Sequence, residues 1–332
     1  MIKMRVAING FGRIGESVFK LCLERGINVV AINDVHGIDD VIYLLKYGSI
    51  HRKFNGTIKK GKKGELIVNG KKIIVLSDRN PENLPWKDLG VDIIVEATGV
   101  FTDKEGAGKH IQAGAKKVVI TAPVDNPDIM ILPGVNEGKL EKGDKIISVA
   151  SCTTNALAPT VKVLDEKFEI KNALFTTIHA YTASQSIIDT SNDKKRRLGR
   201  AAMLNLIPST TGANKSICAV FPRLSGKIKG FAVRVPISDG SLLDLTVELK
   251  KNFTEKQVND LFKKESKGRM KGIIAYSEEE LVSTDILGRS ESGIIDGLST
   301  QKQGNLAKIL VWYDNEYGYS NRVVDVLGLL KF

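Results

Sequence analysis

At 332 residues the chain is too long for one ordinary core and predicts two domains, with 42% apolar residues to fill them. No run approaches the roughly 18 apolar residues of a membrane span, and the three cysteines stand far apart without a CxxC pair, which argues against a disulfide framework and a zinc site and predicts a soluble protein of a reducing cytoplasm. The formal net charge of +11 suits nucleic acid, anionic metabolites or a well-solvated surface alike, but the short basic groups, such as Lys59-Lys60, Lys116-Lys117 and Lys194-Lys195-Arg196-Arg197, lack the interleaved aromatics of a base-stacking surface.

Met1 to Arg5 leads into a strand, not a signal peptide. Arg5-Val6-Ala7-Ile8-Asn9 is a short apolar run, followed by Gly10-Phe11-Gly12-Arg13-Ile14-Gly15 and an amphipathic stretch through Val18, Leu21, Cys22 and Arg25: strand, tight glycine turn, helix. A second strand, Ile27 to Asp34, ends in a carboxylate about twenty residues past the turn. GxGxxG spacing alone is a weak signal, but in this setting it points to dinucleotide binding. The glycines let a pyrophosphate approach the helix N-terminus, and Asp34 can accept hydrogen bonds from the adenosine ribose. A carboxylate there also repels a 2′-phosphate, favouring NAD over NADP. A glycine turn without a ligand and an aspartate that merely caps a surface turn are the alternatives.

Further apolar runs at Lys72–Leu76, Asp92–Ala97, Lys117–Thr121 and Lys145–Val149 carry the rhythm of a doubly wound parallel sheet. Ligands bind off the carboxyl ends of such strands, so Thr98-Gly99 and Thr121-Ala122 are expected to line the cofactor cleft. Ala122 to Asp144 reads as connecting loops. Ser148 to Pro159 then sets Cys152 among hydroxyl and amide side chains where a strand gives way to a helix. Ser151, Thr153 or Thr154 can cap that helix, whose N–H groups and dipole favour a thiolate. A buried apolar filler is the competing role for a cysteine.

Beyond Cys152, longer alternating strands at Ala173–His179, Lys229–Pro236, Ser241–Lys250 and Leu306–Tyr313 predict a mixed or antiparallel sheet with helices on one face. The long polar stretch Ala180–Pro208 reads as a functional loop, and Val323–Leu330 as a helix returning to the first domain. The expected architecture is α/β: a Rossmann-type domain over residues 1–151, an α+β catalytic domain over 152–316, and a C-terminal helix, 317–332, packed on the first. His179, at the end of a strand, is the natural partner for Cys152, since a cysteine–histidine pair forms a thiolate–imidazolium couple. His36, His51 and His110 read as surface or structural residues, and Cys22 and Cys218, on apolar helical faces, as core filler.

A nucleotide-binding half joined to a cysteine–histidine half points to aldehyde oxidation through a thioester. The whole chain resembles the phosphorylating glyceraldehyde-3-phosphate dehydrogenase family, carried by residues 7–15, Ala150-Ser151-Cys152-Thr153-Thr154-Asn155, Thr177 to Thr182, Ile207 to Ala213, Arg234-Val235-Pro236 and Trp312 to Ser320. The resemblance implies that Cys152 attacks the aldehyde with His179 as base, and that phosphate cleaves the resulting thioester. It implies that Thr182 and Arg234 hold the substrate phosphate, that Ser151, Thr153, Thr211 and Gly212 hold the attacking phosphate, and that Arg200 lies near both. It further implies that Gly10, Phe11, Gly12, Arg13, Ile14, Asp34, Arg79, Thr98, Gly99, Thr121 and Asn315 bind cofactor, Asn315 fixing the nicotinamide carboxamide, and that a homotetramer forms through the 180–208 loop. Ser184 stands where many relatives carry aspartate, and Val149-Ala150-Ser151 where Asn-Ala-Ser is common; neither removes a catalytic group. Thr190-Ser191 stands where strictly NAD-dependent members often have Leu-Pro and resembles members that accept NADP. The expectation is NAD preference with NADP use allowed. An erythrose-4-phosphate dehydrogenase and a nucleic-acid or anionic-surface binding protein are the rival readings.

Overall fold

A computed structural model describes residues 4–193 and 195–330. Met1, Ile2 and Lys3 ahead of the first strand, Lys194 in the basic group, and Lys331 and Phe332 at the end of the expected last helix lie outside them. Two units are distinguished: one runs to Ile131, takes in Glu137–Ala150 and resumes from Ser320, and the other comprises Leu132–Asn136 and Ser151–Tyr319.

The first unit contains β1 (Arg5–Asn9), α1 (Arg13–Glu24), β2 (Asn28–Asn33), α2 (Ile38–Tyr47), β3 (Ile58–Lys60), β4 (Glu65–Val68), β5 (Lys71–Leu76), β6 (Ile93–Glu96), α3 (Lys104–Gln112), β7 (Lys117–Ile120), β8 (Ile129–Met130) and β9 (Ile146–Ser148). They form one sheet in the order β3-β4-β5-β2-β1-β6-β7-β9-β8. From β5 to β8 every pairing is parallel, and β3 and β4 add an antiparallel edge. Strands covered on both faces should be apolar throughout instead of alternating, and β6 and β7 are buried at every position. All parallel strands end on one side, so Gly10, Asp34, Thr98 and Thr121 follow β1, β2, β6 and β7 at the same edge. The doubly wound parallel domain read from the apolar runs is present. The short strands β3, β4 and β8 were not legible, β8 because only two residues in the glycine- and proline-rich stretch read as loop take strand pairing.

The second unit carries α4 (Cys152–Phe168), β10 (Ile170–Ala180), β11 (Ile207–Ser209), α5 (Ala213–Val220), β12 (Ile228–Val235), β13 (Ser241–Leu249), α6 (Glu255–Lys267), β14 (Ile274–Ser277), β15 (Gly293–Gln303) and β16 (Leu306–Tyr313), followed by α7 (Tyr317–Leu329), within which the unit boundary falls. Its sheet, β11-β12-β10-β13-β16-β15-β14, is mixed: β10–β12 and β14–β15 pair in parallel, the others antiparallel. β13 alternates buried and half-buried residues along its whole length, the signature of a sheet with one face on a core. From Ser320 onward α7 belongs to the first unit, where Asn321 and Asp325 meet Arg25 of α1. No helix among the described residues is long and apolar enough to cross a membrane.

Candidate active site

Cys152 is the first residue of α4, and Ser151 is its N-cap, the Ser151 hydroxyl accepting the Thr154 N–H at 3.1 Å. The strand-to-helix turn is tight: Ala150, fully buried, takes a left-handed φ of 56°, a conformation that costs an L-residue about 1–2 kcal/mol. β10 delivers His179 to the same place. Cys152 Sγ and His179 Nε2 lie 3.3 Å apart, hydrogen-bond contact for a sulfur pair. His179 Nδ1 lies 2.7 Å from both the Ala180 carbonyl oxygen and Arg234 Nη1; a proton on Nδ1 serves the carbonyl and leaves the Nε2 lone pair facing the thiol, whereas a bare Nδ1 serves the guanidinium.

Arg234, paired with His179 across the parallel β10–β12 register, brings Nη1 to 2.7 Å from His179 Nδ1 and 3.1 Å from the Ala180 carbonyl. Burial pushes the Cys152 thiol up to about 11, while the Arg234 charge and the Thr153 N–H pull it down. Desolvation thus opposes the thiolate that the helix N-terminus and the Arg234 charge favour.

Below the pair lies a support that the sequence pattern did not reveal. The buried Tyr313 hydroxyl is 3.0 Å from Thr153 Oγ1 and 2.6 Å from Thr177 Oγ1, joining the residue after Cys152 to the strand that carries His179. The Tyr313 ring also meets the His179 imidazole edge-on, with centroids 6.0 Å apart. Ser241 accepts the Ala180 N–H at 3.1 Å and donates to Asn315 Oδ1 at 2.5 Å. That bond fixes the orientation of the Asn315 amide and leaves its N–H groups to serve another acceptor.

The remaining phosphate candidates are set by local bonds. Thr182 Oγ1 is 3.0 Å from Ser184 Oγ. Arg200 Nε donates to Asp189 at 3.1 Å on the exposed surface. Thr211 Oγ1 accepts the Ala213 N–H at 3.2 Å, and Gly212 begins α5 with no side-chain cap. The 180–208 stretch is stitched to itself by the Ser186–Leu198, Thr190–Gly199 and Ala202–Ser186 backbone bonds, and its end joins the sheet as β11.

In the first unit, Gly10 has φ of 93°, and a Cβ there would come within 2.8 Å of the Thr98 nitrogen. A side chain at Gly15 would collide with the Gly10 carbonyl, which is why α1 can start so close to β1. Nothing lies within 4 Å of where a Gly12 Cβ would stand, and Gly12 offers α1 no side-chain cap. Gly12 thus leaves the start of α1 without a side chain of its own to fill the space beside it, a fit for a pyrophosphate at a helix N-terminus. Asp34 accepts the Phe11 N–H at 2.8 Å and the His36 N–H at 3.0 Å, anchoring the glycine turn to the end of β2. Arg79, Thr98 and Gly99 are exposed at the neighbouring strand ends, and Thr121 donates to the Glu96 carbonyl at 3.1 Å.

Of the other histidines, His36 is exposed beside Asp34, His51 is half-buried, and His110 is wholly buried on α3. Cys22 is fully buried, its thiol pushed up to about 12 by desolvation, as a core filler should be, whereas Cys218 is only half-buried.

Residues 4–104 match the family described as "Glyceraldehyde 3-phosphate dehydrogenase, NAD binding domain", and residues 151–315 match its C-terminal domain. The chain is 52% identical over 330 residues to glyceraldehyde-3-phosphate dehydrogenase of Thermotoga maritima, with 98% of each chain covered. It is 49% identical over 330 residues to that of Geobacillus stearothermophilus, again with 98% of each covered, and 48% identical over 331 residues to glyceraldehyde-3-phosphate dehydrogenase 1 of Candida glabrata, with 99% of each covered. With a cysteine–histidine pair in one unit and an uncapped glycine-turn helix in the other, the chain belongs to the glyceraldehyde-3-phosphate dehydrogenase family.

Proposed function

We propose that this chain oxidises and phosphorylates D-glyceraldehyde 3-phosphate to 1,3-bisphosphoglycerate through a Cys152 thioester, with NAD as the preferred cofactor. The observation that carries the reading is the 3.3 Å contact between Cys152 Sγ and His179 Nε2. Cys152 Sγ adds to the aldehyde carbon as His179 Nε2 takes the thiol proton. The resulting Nε2–H and the Cys152 N–H at the start of α4 then donate to the developing oxyanion. NAD, when bound, accepts the hydride that leaves the hemithioacetal carbon. Inorganic phosphate attacks the thioester, the acyl–sulfur bond breaks, and Cys152 leaves as the thiolate beside His179.

Arg234 and Thr182 hold the substrate phosphate, while Ser151, Thr153, Thr211 and Gly212 receive the attacking phosphate, with Arg200 near both; guanidinium groups, hydroxyls and backbone N–H groups are what dianion recognition needs. Gly10 to Ile14, with Arg79, Thr98, Gly99 and Thr121, bind the dinucleotide. Asn315 holds the carboxamide through the amide group that Ser241 orients. Asp34 favours NAD by repelling a 2′-phosphate, and the small polar pair Thr190-Ser191 leaves room for NADP. The exposed Ile187, Ile188, Leu204 and Leu206 of the 180–208 loop favour burial between subunits, in a homotetramer.

Steady-state kinetics test the reading. Reduction of NAD by glyceraldehyde 3-phosphate should depend strictly on inorganic phosphate, with kcat/KM for NAD above that for NADP. Phosphate-independent oxidation would transfer the chain to an acid-releasing aldehyde dehydrogenase such as one acting on erythrose 4-phosphate. A kcat/KM with NADP at or above that with NAD would reverse the cofactor assignment.

A further inference from the structure

The glycine turn of the first unit rests on a polar network whose buried members, Asn9, Asn33, Trp86, Glu96 and His110, have no part in the proposed chemistry; Glu96 and Asn9 are each 1% exposed, and Thr98 joins them from the exposed end of β6. The hydrogen positions follow from groups at its two ends that cannot be reassigned. At one end the Asp78 N–H donates to Asn33 Oδ1 at 3.0 Å, so Asn33 Nδ2 must be the atom that donates to the Asp78 carbonyl at 2.9 Å and to Asn9 Oδ1 at 2.7 Å. Asn9 is thereby oriented with Nδ2 donating to Glu96 Oε2 at 2.6 Å. At the other end the Trp86 indole N–H donates to His110 Nδ1 at 2.9 Å, so the neutral imidazole carries its proton on Nε2, which lies 3.1 Å from the same Glu96 Oε2. Glu96 Oε1 accepts the Thr98 N–H at 2.8 Å and the Thr98 hydroxyl. Every partner of the carboxyl group is a donor, so Glu96 is a buried anion held by four accepted hydrogen bonds.

Each backbone segment that this anion ties down immediately precedes a residue of the cofactor site: Asn9 precedes Gly10, Asn33 precedes Asp34, Asp78 precedes Arg79, and Thr98 precedes Gly99. The fit at Gly10 depends on the same tie, because the Thr98 nitrogen is what closes the space above its Cα. On the reading that this turn binds NAD, we propose that Glu96 is the positioning residue of the cofactor site, one buried carboxylate that holds the ends of β1, β2 and β6 in the conformation that receives a dinucleotide. His110 and Trp86 fix its proton count from the core side.

The test exploits that proton count. E96Q turns an amide N–H2 toward the Asn9 and His110 donors, and N9D sets a second carboxylate against the first. The pair E96Q/N9D restores a donor facing an acceptor: the new amide donates to the new carboxylate, which also accepts from Asn33 Nδ2 and from His110 Nε2, 3.3 Å from the position of Asn9 Nδ2. Net charge and shape are unchanged from the parent. NAD dissociation constants, kcat at saturating NAD, and amide hydrogen exchange of the cofactor-free protein at Gly10–Gly12 and Thr98–Gly99 are measured for all four proteins. Each single variant should weaken NAD binding and speed local exchange by about tenfold or more with kcat within about threefold, and the double variant should return both to within about threefold of the parent. Single variants that match the parent in affinity and exchange overturn the proposal, as does a double variant no better than the singles. Where the singles fail to fold, recovery of folding and NAD binding in the double supports it, and an unfolded double overturns it. A parent that binds neither NAD nor NADP refutes the proposed function instead, and the exchange comparison then decides whether Glu96 positions these segments.

Discussion

Removal of one hydroxyl, in Y313F, tests whether the cysteine–histidine contact is held from beneath. Tyr313 is 1% exposed, and its hydroxyl is the common partner of Thr153 Oγ1 and Thr177 Oγ1. The substitution deletes two neutral hydrogen bonds of about 1 kcal/mol each and takes the shared partner from two buried hydroxyls, for a total of about 2–3 kcal/mol. For a unit of this size that is a fall in Tm of about 5–10 °C. Thr153 adjoins Cys152, and Thr177 precedes His179 by two positions on β10, so slack at the hydroxyl is passed to the 3.3 Å sulfur–nitrogen contact. Misplacement of reacting groups by about 1 Å costs up to about a hundredfold, and kcat/KM should fall by about 10–100-fold. T177V leaves the Tyr313–Thr153 bond in place and should lose about half as much in both measurements. Thermal melting and steady-state kinetics on the two variants decide. A Y313F protein that melts with the parent and keeps kcat/KM within twofold, or a T177V protein more impaired than Y313F, would refute the reasoning.

The thiol and its base separate in H179N. With burial opposed by Arg234 and Thr153, Cys152 is pushed up to about 11, and in H179N alkylation by iodoacetamide at pH 7 should slow by about a hundredfold or more and then climb about tenfold per pH unit toward that value; a variant alkylated at the parent's rate at pH 7 would remove His179 from the role of base. Asp239 sits beside Asp314 and Glu316, and burial with these two charges pushes its carboxyl up to about 9. The folded chain therefore keeps a proton that the unfolded chain releases near the ordinary 3.8, so this contribution to stability is complete below about 4 and is lost as pH rises to about 9. D239N keeps a donor at that position without the titration, and urea midpoints compared between pH 5 and 9 should drop less in the variant than in the parent. Equal drops would show that Asp239 does not titrate in this way.

Much of the chain could be read locally. The strand–glycine–helix start, the parallel strands that follow, and a cysteine set among hydroxyl groups with a strand-end histidine downstream are short-range patterns, governed by backbone freedom at glycine, by two-sided burial and by helix capping. What escaped was set by partners distant in sequence. β15 runs through Gly297 and through Ser299, Thr300 and Gln301, residues without an apolar alternation, and it is a strand because β14 and β16 pair with it. His110 read only as a surface or structural residue, and it takes Trp86 and Glu96, 24 and 14 residues away, to make it the hinge of a buried network. Tyr313 lies 160 residues from Thr153, and no local signal marks it as their common support. The amino-acid sequence by itself determined where along the chain the thiol, imidazole, glycine turn and carboxylate stand, since these are properties of residues and their near neighbours. Only the tertiary structure decided the desolvation of Cys152 and the hydrogen-bonded supports beneath Cys152, His179 and Gly10, because burial and hydrogen bonding depend on everything packed around a group.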